Sequence, residues 1–183
     1  MITGILLAAG QGSRFGGGNK LLYPLADGTP MAVAAARNLL SALPQSLAVI
    51  RAEDRELARL LSAEGMEVVV NHQADQGMGV SLAWGVKAAA QAQGWVIALA
   101  DMPFIRPATI QGIVHQLAAG ATLVAPAYAG KRGHPVAFGR VFRTPLEKLQ
   151  GDHGARLLLR QHADQLHCLV VDDPGILVDI DQV

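Results

Sequence analysis

The chain alternates short, nearly continuous apolar runs with longer segments in which apolar residues recur every three or four positions. Runs of the first kind are typical of strands buried on both faces, and segments of the second kind are typical of amphipathic helices. The predicted parallel strands span residues 4–9, 46–50, 66–70, 95–100 and 122–127, and the predicted helices span residues 30–43, 54–65, 80–94 and 106–120. This order predicts a three-layer, doubly wound α/β fold with a mostly parallel sheet.

The last third of the sequence departs from this alternation. Residues 134–138, 167–171 and 175–180 are predicted as strands, and residues 154–166 as a helix. A chain of 183 residues is long enough for one full hydrophobic core but short for two. We therefore expect a single domain over residues 1–183, with substrate-specific parts in its irregular last third.

Composition and charge exclude several classes of protein. Apolar residues make up 51% of the chain, which is too many for a disordered protein. The 15 lysines and arginines balance the 15 acidic residues, and aromatic residues make up only 4%. The chain thus lacks the basic field and the stacking residues of nucleic-acid-binding proteins. Any bound anion must be held by a local group of residues.

The first residues and the cysteine content indicate a compartment. The opening MITGILLAAG lacks the basic region of a signal peptide, and its apolar run is too short to span a membrane. Cys168 is the only cysteine in the sequence, and its apolar neighbours predict a core strand. We expect a cytoplasmic protein in a reducing environment, with no membrane and no nucleic-acid partner.

The loop after the first predicted strand carries the clearest chemical signal. Gly10, Gly12 and the glycines at 16–18 allow consecutive backbone N–H groups to face one anion, and Arg14 and Lys20 add full charges. In open α/β sheets, ligands bind beyond the carboxyl ends of the strands, and glycine-rich loops there bind phosphate. A flexible turn is the alternative, but such turns are typically about two to six residues long. The length and content of this loop favour phosphate binding.

Two well-known phosphate motifs do not match this loop. A P-loop needs a glycine before its lysine and a hydroxyl residue after it, whereas Lys20 lies between Asn19 and Leu21. The dinucleotide fingerprint needs a glycine one position earlier than Gly16, and the second predicted strand ends with Arg51 instead of an acidic residue. Hydride transfer therefore remains only a runner-up function.

Six segments in order carry a resemblance to a known family. They are LLAAGQGSRFGGGNKLL, NHQADQGMGVSLAWGV, ALADMPFI, GKRGHPVAF, GDHGAR and DIDQV. Over essentially the whole chain they resemble the MobA-like nucleotidyltransferases of molybdopterin, and within them the cytidylyltransferases that make molybdopterin cytosine dinucleotide. The first segment is also shared by sugar-nucleotide and methylerythritol cytidylyltransferases.

The resemblance implies a nucleotide-diphospho-sugar-transferase-like fold and a Mg²⁺-dependent reaction. In that reaction a phosphate of molybdopterin attacks the α-phosphorus of CTP and pyrophosphate leaves, so CTP and a molybdopterin-type molecule are the implied substrates. A molybdenum hydroxylase that receives the product is the implied protein partner. The alternatives are a nucleotidyl transfer to another phosphorylated small molecule, or a non-catalytic accessory of a molybdenum hydroxylase that binds nucleotide or finished cofactor.

Two acidic residues are the candidate metal ligands. Asp101 directly follows a buried predicted strand, so its carboxylate faces the ligand crevice and suits Mg²⁺. Its alternative role is to cap the helix that follows Pro103. Asp181 alternates with Asp179 along an extended segment, which places both on one face. The resemblance implies that Asp181 completes the metal site, although the chain stops soon after it whereas the relatives continue.

The first loop supplies the candidate catalytic cations and the base selectivity. We expect Lys20 to contact the α-phosphate and Arg14 the departing β- and γ-phosphates; the alternative is that both are solvated loop charges. The resemblance implies CTP, because Ala8 and Ala9 give L-A-A-G where guanylyl enzymes resemble L-A-G-G. One methyl group discriminates by only about 1 to 3 kcal/mol, so Ala9 cannot select the base alone.

The second segment offers further binding residues. Asn71 follows a predicted strand and either reads the base or ribose through its amide or forms a turn. Gly77, Gly79 and Ser81 open the next helix, where their amides and the Ser81 hydroxyl are placed to bind a second anion. An ordinary helix start is the alternative.

The later segments carry candidate acceptor-binding residues. Lys131, Arg132 and His134 precede a predicted strand, and two cations before a His-Pro pair suit an anionic, hydrogen-bonding pterin. A surface hairpin is the alternative. Asp152 is a fair N-cap for the helix predicted after it, and Arg156 is placed to reach the substrate.

Overall fold

The computed structural model describes residues 1–10 and 18–180 and contains a mixed, mostly parallel sheet with helices on both faces. Its strands are β1 (Ile2–Ala8), β2 (Ser46–Arg51), β3 (Glu67–Asn71), β4 (Gly94–Leu99), β5 (Leu123–Tyr128), β6 (Lys131–Arg132), β7 (Val136–Gly139) and β8 (Leu166–Val170). Its helices are α1 (Met31–Ala42), α2 (Arg55–Ala63), α3 (Met78–Ala88), α4 (Pro107–Ala118), α5 (Arg143–Glu147) and α6 (Arg156–Gln161). The predicted doubly wound α/β fold is confirmed.

The strand order places the ends of β1 and β4 side by side. The sheet runs β3-β2-β1-β4-β7-β5-β6, and β8 also pairs with β5. Strands β1 to β4 are parallel, whereas β7 is antiparallel to both β4 and β5. Leu7 of β1 is the partner of Leu99 of β4. The loop after β1 and the residues after β4 therefore meet at one edge of the sheet, where ligands bind in such folds.

The hydrophobic core lies on both faces of the sheet, because successive residues of a buried strand point to opposite sides. Leu6 and Ala8 of β1 pack with α1, α2 and α4, whereas Ile5 and Leu7 pack with α3, α5 and α6. This arrangement explains the continuous apolar runs in the sequence. Among the helices that the structure describes, none is long and apolar enough to cross a membrane.

The strand predicted at residues 175–180 is wrong. Pro174–Leu177 forms a 3-10 turn, and residues 178–180 form no strand with any described part of the chain. The side chain of Asp173 starts this turn, since it accepts hydrogen bonds from the backbone N–H groups of Gly175 and Arg106. The chain is thus tied to the start of α4 and does not extend the sheet.

Two further predictions in the last third need correction. Cys168 is exposed and not in the core, because β8 lies beside β5 at the margin of the sheet. The helix predicted over residues 154–166 is shorter: α6 ends at Gln161 and a 3-10 turn follows at Ala163–Gln165. Ala155, not Asp152, occupies the N-cap position of α6.

Candidate active site

A lysine–aspartate pair lies where the loop after β1 meets the residues after β4. Lys20 begins a 3-10 turn, Lys20–Leu22, and the buried Leu21 anchors that turn in the core. The Lys20 Nζ donates to Asp101 Oδ2 at 2.8 Å and to the Ile180 carbonyl oxygen at 3.4 Å. The two side chains are only 15% and 23% exposed, so water and salt screen the pair less than they would at the surface.

Asp101 does not cap the helix that follows it. The N-cap position of α4 belongs to Arg106, and the Asp101 carboxylate is directed to Lys20 instead. The capping alternative considered from the sequence therefore does not apply, and the carboxylate lies at the ligand-binding edge of the sheet.

The pair lines the first of two adjoining pockets. This first pocket has a volume of about 400 Å³, which falls within the range typical of small-molecule sites. It brings together Ala9, Gly10, Lys20 and Asp101 of the predicted nucleotide and metal site with Gly77 and Ser81, which were predicted to bind a second anion. Ala8, the last residue of β1, is buried in the core beneath the pocket.

The second pocket has a volume of about 520 Å³ and contains the predicted acceptor-side residues except Lys131, which is exposed on β6. Arg132, His134 and Arg156 contribute to its wall, together with Asp179. The two pockets share Leu7, Met78, Leu99 and Asp152. Two small molecules bound in them would therefore lie next to each other.

His134 has an unusual environment in the second pocket. Its Nδ1 is buried and has no hydrogen-bond partner among the described residues. Burial lowers the pKa of the His134 imidazole below its ordinary value of 6.5, and Arg132 and Arg156 lower it further, whereas Asp101 opposes the change. The ring is therefore neutral at physiological pH, and a buried unpaired nitrogen costs about 1 to 3 kcal/mol until a ligand or water satisfies it.

The lowered pKa of His134 predicts a loss of stability in mild acid. Below about pH 6.5 the unfolded chain binds a proton at this position and the folded chain does not, so the free energy of unfolding falls as the pH falls. The slope from one proton is at most about 1.4 kcal/mol per pH unit. We expect urea unfolding at several pH values to show that the free energy of unfolding depends less on pH in His134→Gln than in wild type. His115→Gln, which replaces an exposed histidine of α4, should keep the wild-type dependence.

Asn71 and Ser81 bind each other within the protein. The Asn71 side chain is buried, its Nδ2 donates to Ser81 Oγ at 3.0 Å, and its Oδ1 accepts from the backbone N–H of Gln73 at 2.8 Å. This is the turn-forming alternative considered for Asn71. Contact of Asn71 with a base or ribose stays a prediction.

The backbone amides predicted to bind a second anion are already engaged. Gly77 donates to the Ala74 carbonyl, Gly79 to the Gly151 carbonyl and Ser81 to the Gly77 carbonyl. Helix α3 begins at Met78, so Ser81 lies inside its first turn. These three N–H groups consequently stabilise the backbone around the first pocket. None of them is free to bind the predicted second anion.

Gly77 is expected to tolerate no side chain. Its φ is +109°, and a Cβ there would lie 2.5 Å from the carbonyl carbon of Gly151. Gly120 has a similar φ of +106° with open space around it, so Gly120→Ala measures the backbone strain alone. We expect Gly120→Ala to cost about 1 to 2 kcal/mol of unfolding free energy and Gly77→Ala about 1 to 3 kcal/mol more, measured by urea unfolding. Equal costs for the two variants would contradict the close packing at Gly77.

Five predicted site residues lie outside the described part of the chain. Gly12, Arg14, Gly16 and Gly17 fall in residues 11–17, and Asp181 falls in residues 181–183. Their predicted roles in binding phosphate and metal stay predictions.

The described carboxylates fit a metal ion that is held largely by its substrate. Among the described residues, no three His, Cys, Asp or Glu side chains are grouped so as to hold a metal ion. Mg²⁺ usually takes one or two protein carboxylates and completes its shell with water and phosphate oxygens. Asp101 lines the first pocket and Asp179 the second, so a carboxylate lies beside each pocket.

Sequence reasoning missed two features of the site. Asp152, interpreted as a helix cap, lies on the wall of both pockets. Asn19, used only to reject a P-loop, donates from its Nδ2 to Asp54 Oδ1 at 3.0 Å. Neither has a sequence signal, because both depend on contacts between loops far apart in the chain.

Comparison with known proteins identifies the family to which the chain belongs. Residues 4–166 match the model of the MobA-like NTP transferase domain, and the chain belongs to this family of nucleotidyltransferases. It is 31% identical over 190 residues to the nicotine blue oxidoreductase of Paenarthrobacter nicotinovorans, covering 100% of this chain and 93% of that protein. It is 36% identical over 128 residues to the molybdenum cofactor guanylyltransferase of Cupriavidus pinatubonensis, covering 68% and 61%. The family predicted from the motifs is confirmed.

Solved structures agree in fold. Rv0371c from Mycobacterium tuberculosis H37Rv has a TM-score of 0.84 and 30% identity, with 99% of this chain and 92% of that chain covered. A manganese complex of Rv0371c also matches, with a TM-score of 0.78 and 27% identity over 93% and 88% of the two chains. A nucleotidyl transferase from Methanothermobacter thermautotroptrophicus has a TM-score of 0.84 and 27% identity over 100% and 92%. A divalent ion therefore accompanies at least one similar structure.

Proposed function

We propose that the chain transfers CMP from CTP to molybdopterin cofactor and releases pyrophosphate. The observation that carries this proposal is the Lys20–Asp101 pair, which lies on the wall of the first pocket beside the second pocket. A nucleotidyl transfer needs this arrangement, since a triphosphate and an attacking phosphate must be held side by side. The chain then acts as a single cytoplasmic domain that passes its product to a molybdenum hydroxylase.

The proposed roles follow from the positions of the charges. The Lys20 ammonium neutralises negative charge on the α-phosphate, and Arg14 binds the departing phosphates. Gly10 lies at the start of the loop that follows β1, and its backbone N–H binds a phosphate oxygen. In-line phosphoryl chemistry needs positioning and charge neutralisation more than covalent work by the protein. Lys20 is well suited to this work because Leu21 and Asp101 fix where its ammonium lies.

Asp101, with Asp181 beyond the described residues, is proposed to hold Mg²⁺. When bound, the ion neutralises phosphate oxygens of the nucleotide and of the leaving pyrophosphate. The manganese complex of Rv0371c supports the use of a divalent ion in this fold. In its absence Asp101 keeps Lys20 at the pocket wall.

The first pocket is proposed to bind CTP and the second to bind the acceptor. Ala9 is buried on the wall of the first pocket, where L-A-A-G supports a cytosine base. Arg132 and Arg156 suit the anionic groups of molybdopterin, and the unpaired His134 ring offers it a hydrogen-bonding group. The relative named molybdenum cofactor guanylyltransferase supports this acceptor and makes GTP the rival nucleotide.

The proposal is tested by offering CTP, GTP, ATP and UTP in turn, with molybdopterin and either Mg²⁺ or Mn²⁺. We expect pyrophosphate release to be fastest with CTP and to require molybdopterin. Equal release from GTP and CTP would contradict the cytidylyl assignment. If pyrophosphate were released only with a sugar phosphate or methylerythritol phosphate, that molecule and not molybdopterin would be the acceptor.

An oxidoreductase is the second candidate, because a relative with that name is similar over the whole chain. Against it, β2 ends at Arg51, where dinucleotide-binding proteins usually carry an acidic residue for the ribose. NADH or NADPH oxidation with nicotine blue offered as electron acceptor distinguishes the two functions. Oxidation without pyrophosphate release from any nucleotide would favour the oxidoreductase.

A further inference from the structure

Asn19 ties the end of the loop after β1 to a distant part of the chain. Its Oδ1 accepts from the backbone N–H of Leu21 at 3.0 Å, which starts the turn that carries Lys20. Its Nδ2 donates to Asp54 Oδ1 at 3.0 Å. Because one end of the amide is bound to a donor and the other to an acceptor, the side chain has a single consistent orientation.

Asp54 is in turn held by Arg51 at the end of β2. The Arg51 Nε and Nη2 donate to the two Asp54 carboxylate oxygens at 2.9 Å and 3.1 Å. The side chains are 20% and 9% exposed, so the pair is shielded from water. Arg51 also approaches Glu53, at 3.5 Å. A bidentate pair of this kind fixes orientation as well as distance.

Asp54 forms these contacts at the expense of a helix-capping hydrogen bond. Asp54 occupies the N-cap position of α2, where an aspartate that caps is worth about 1 kcal/mol. Its side chain makes no capping hydrogen bond to α2. Both oxygens are directed to Asn19 and Arg51 instead. The carboxylate thus binds Asn19 and Arg51 and does not cap its own helix.

We propose that Arg51, Asp54 and Asn19 form a clamp that positions Lys20 for the transfer reaction. In their catalytic effect they are positioning residues that act through Lys20, and this part of the inference rests on the proposed function. The clamp holds the turn from the β2 side, while Asp101 holds the Lys20 ammonium from the β4 side. Misplacement of a reacting group by about 1 Å is enough to cost about a hundredfold in rate.

The first test exchanges the two partners of the clamp. Asp54→Asn removes the charge, and Asn19→Asp places two carboxylates face to face. Each is expected to lower kcat for pyrophosphate release about ten- to a hundredfold while the nucleotide KM changes less than about threefold. The double variant restores an amide–carboxylate pair in reverse but not the bidentate contact with Arg51, so it should recover part of the lost kcat.

A matched control is available in the Arg37–Glu64 pair. It has the same bidentate geometry, with both contacts at 2.8 Å, but is more exposed and lies away from the pockets. Glu64→Gln should leave kcat unchanged. Arg51→Lys, which keeps the charge but loses the bidentate fork, should give a smaller loss in the same direction as Asp54→Asn.

A second measurement does not depend on activity. Lys20 is labelled with an acylating reagent, and the rate is read by peptide mass spectrometry against the exposed Lys148. We expect Lys20 to react about three- to tenfold faster in Asp54→Asn and Asn19→Asp, more slowly in the double variant than in either single variant, and at the wild-type rate in Glu64→Gln. Unchanged labelling in both single variants overturns the clamp, whatever reaction the protein catalyses.

The two measurements separate the clamp from the function. Faster labelling in a protein that releases no pyrophosphate with any nucleotide supports the clamp and contradicts the proposed function. Normal release in wild type, lost in Lys20→Ala but kept in both single clamp variants, overturns the clamp and leaves the function standing.

Discussion

Asp101→Asn is expected to reduce the rate of pyrophosphate release by about a thousandfold. The substitution keeps the size of the side chain but removes the charge that pairs with Lys20 at 2.8 Å and that is proposed to bind the metal ion. The protein should remain folded, because the carboxylate contributes to the pocket wall and not to the core. The measurement is single-turnover pyrophosphate release at saturating CTP, Mg²⁺ and molybdopterin.

Asp75→Asn is the matched control for this prediction. Asp75 also lines the first pocket, but it is exposed and lies in the 3-10 turn before α3. It should keep release within about threefold of wild type. Equal losses in the two variants would indicate that the pocket needs negative charge in general and not Asp101 in particular. A protein that binds CTP in both variants but releases no pyrophosphate even as wild type would be a carrier.

Trp95→Ala is expected to lower the free energy of unfolding by about 3 to 5 kcal/mol. Trp95 lies on β4 between Thr3 of β1 and Phe138 of β7, and its side chain is fully buried. Its Nε1 donates to the carbonyl of Ala89, the C-cap residue of α3, at 3.1 Å. The substitution therefore leaves a large cavity and removes one of two hydrogen bonds to the Ala89 carbonyl, which also accepts from the backbone N–H of Ala92. Urea unfolding followed by far-ultraviolet circular dichroism measures the loss.

Trp84→Ala provides the comparison within the same chain. Trp84 is the other tryptophan, lies on α3 and is only half-buried, so less apolar area is lost on truncation. Its cost should be about half that of Trp95→Ala or less. A larger cost for Trp84→Ala would place the centre of this core nearer α3 than β4.

The regular half of the fold could be predicted because its signals are local. Continuous apolar runs predicted β1 to β5, and segments of helical period predicted α1 to α4. The bounds agree within a few residues except for α3, which ends at Ala88 instead of residue 94. The proximity of Lys20 to Asp101 also follows from topology, since both come after neighbouring parallel strands. These inferences needed no knowledge of distant contacts.

The wrong predictions concern segments whose structure depends on contacts with residues far away in the sequence. The alternating pattern of residues 175–180 is compatible with a strand, but a strand needs a neighbour, and the side chain of Asp173 ties this segment to α4 instead. The neighbours of Cys168 are apolar, yet its exposure was decided by the position of β8 in the sheet. Strand order cannot be read from the apolar pattern of one segment.

The site itself was predicted only in part. Motif resemblance gathered the residues of the first pocket, but it gave Asp152 a local role and gave Arg51 none. Asn19 and Asp54 are 35 positions apart and belong to loops without periodicity. Their hydrogen bond exists because β1 and β2 are parallel neighbours whose carboxyl ends, at Ala8 and Ile50, lie in register.

The shared wall of the two pockets predicts that the ligands proposed for them affect each other's binding. Asp152 and Met78 face both spaces, so a molecule in one changes the charge and shape that a molecule in the other encounters. By linkage, the factor by which the nucleotide alters the affinity for the acceptor equals the factor by which the acceptor alters the affinity for the nucleotide. Calorimetric titrations carried out in either order of addition must therefore close the same cycle, and we expect Asp152, a charged residue that lines both pockets, to contribute to that coupling.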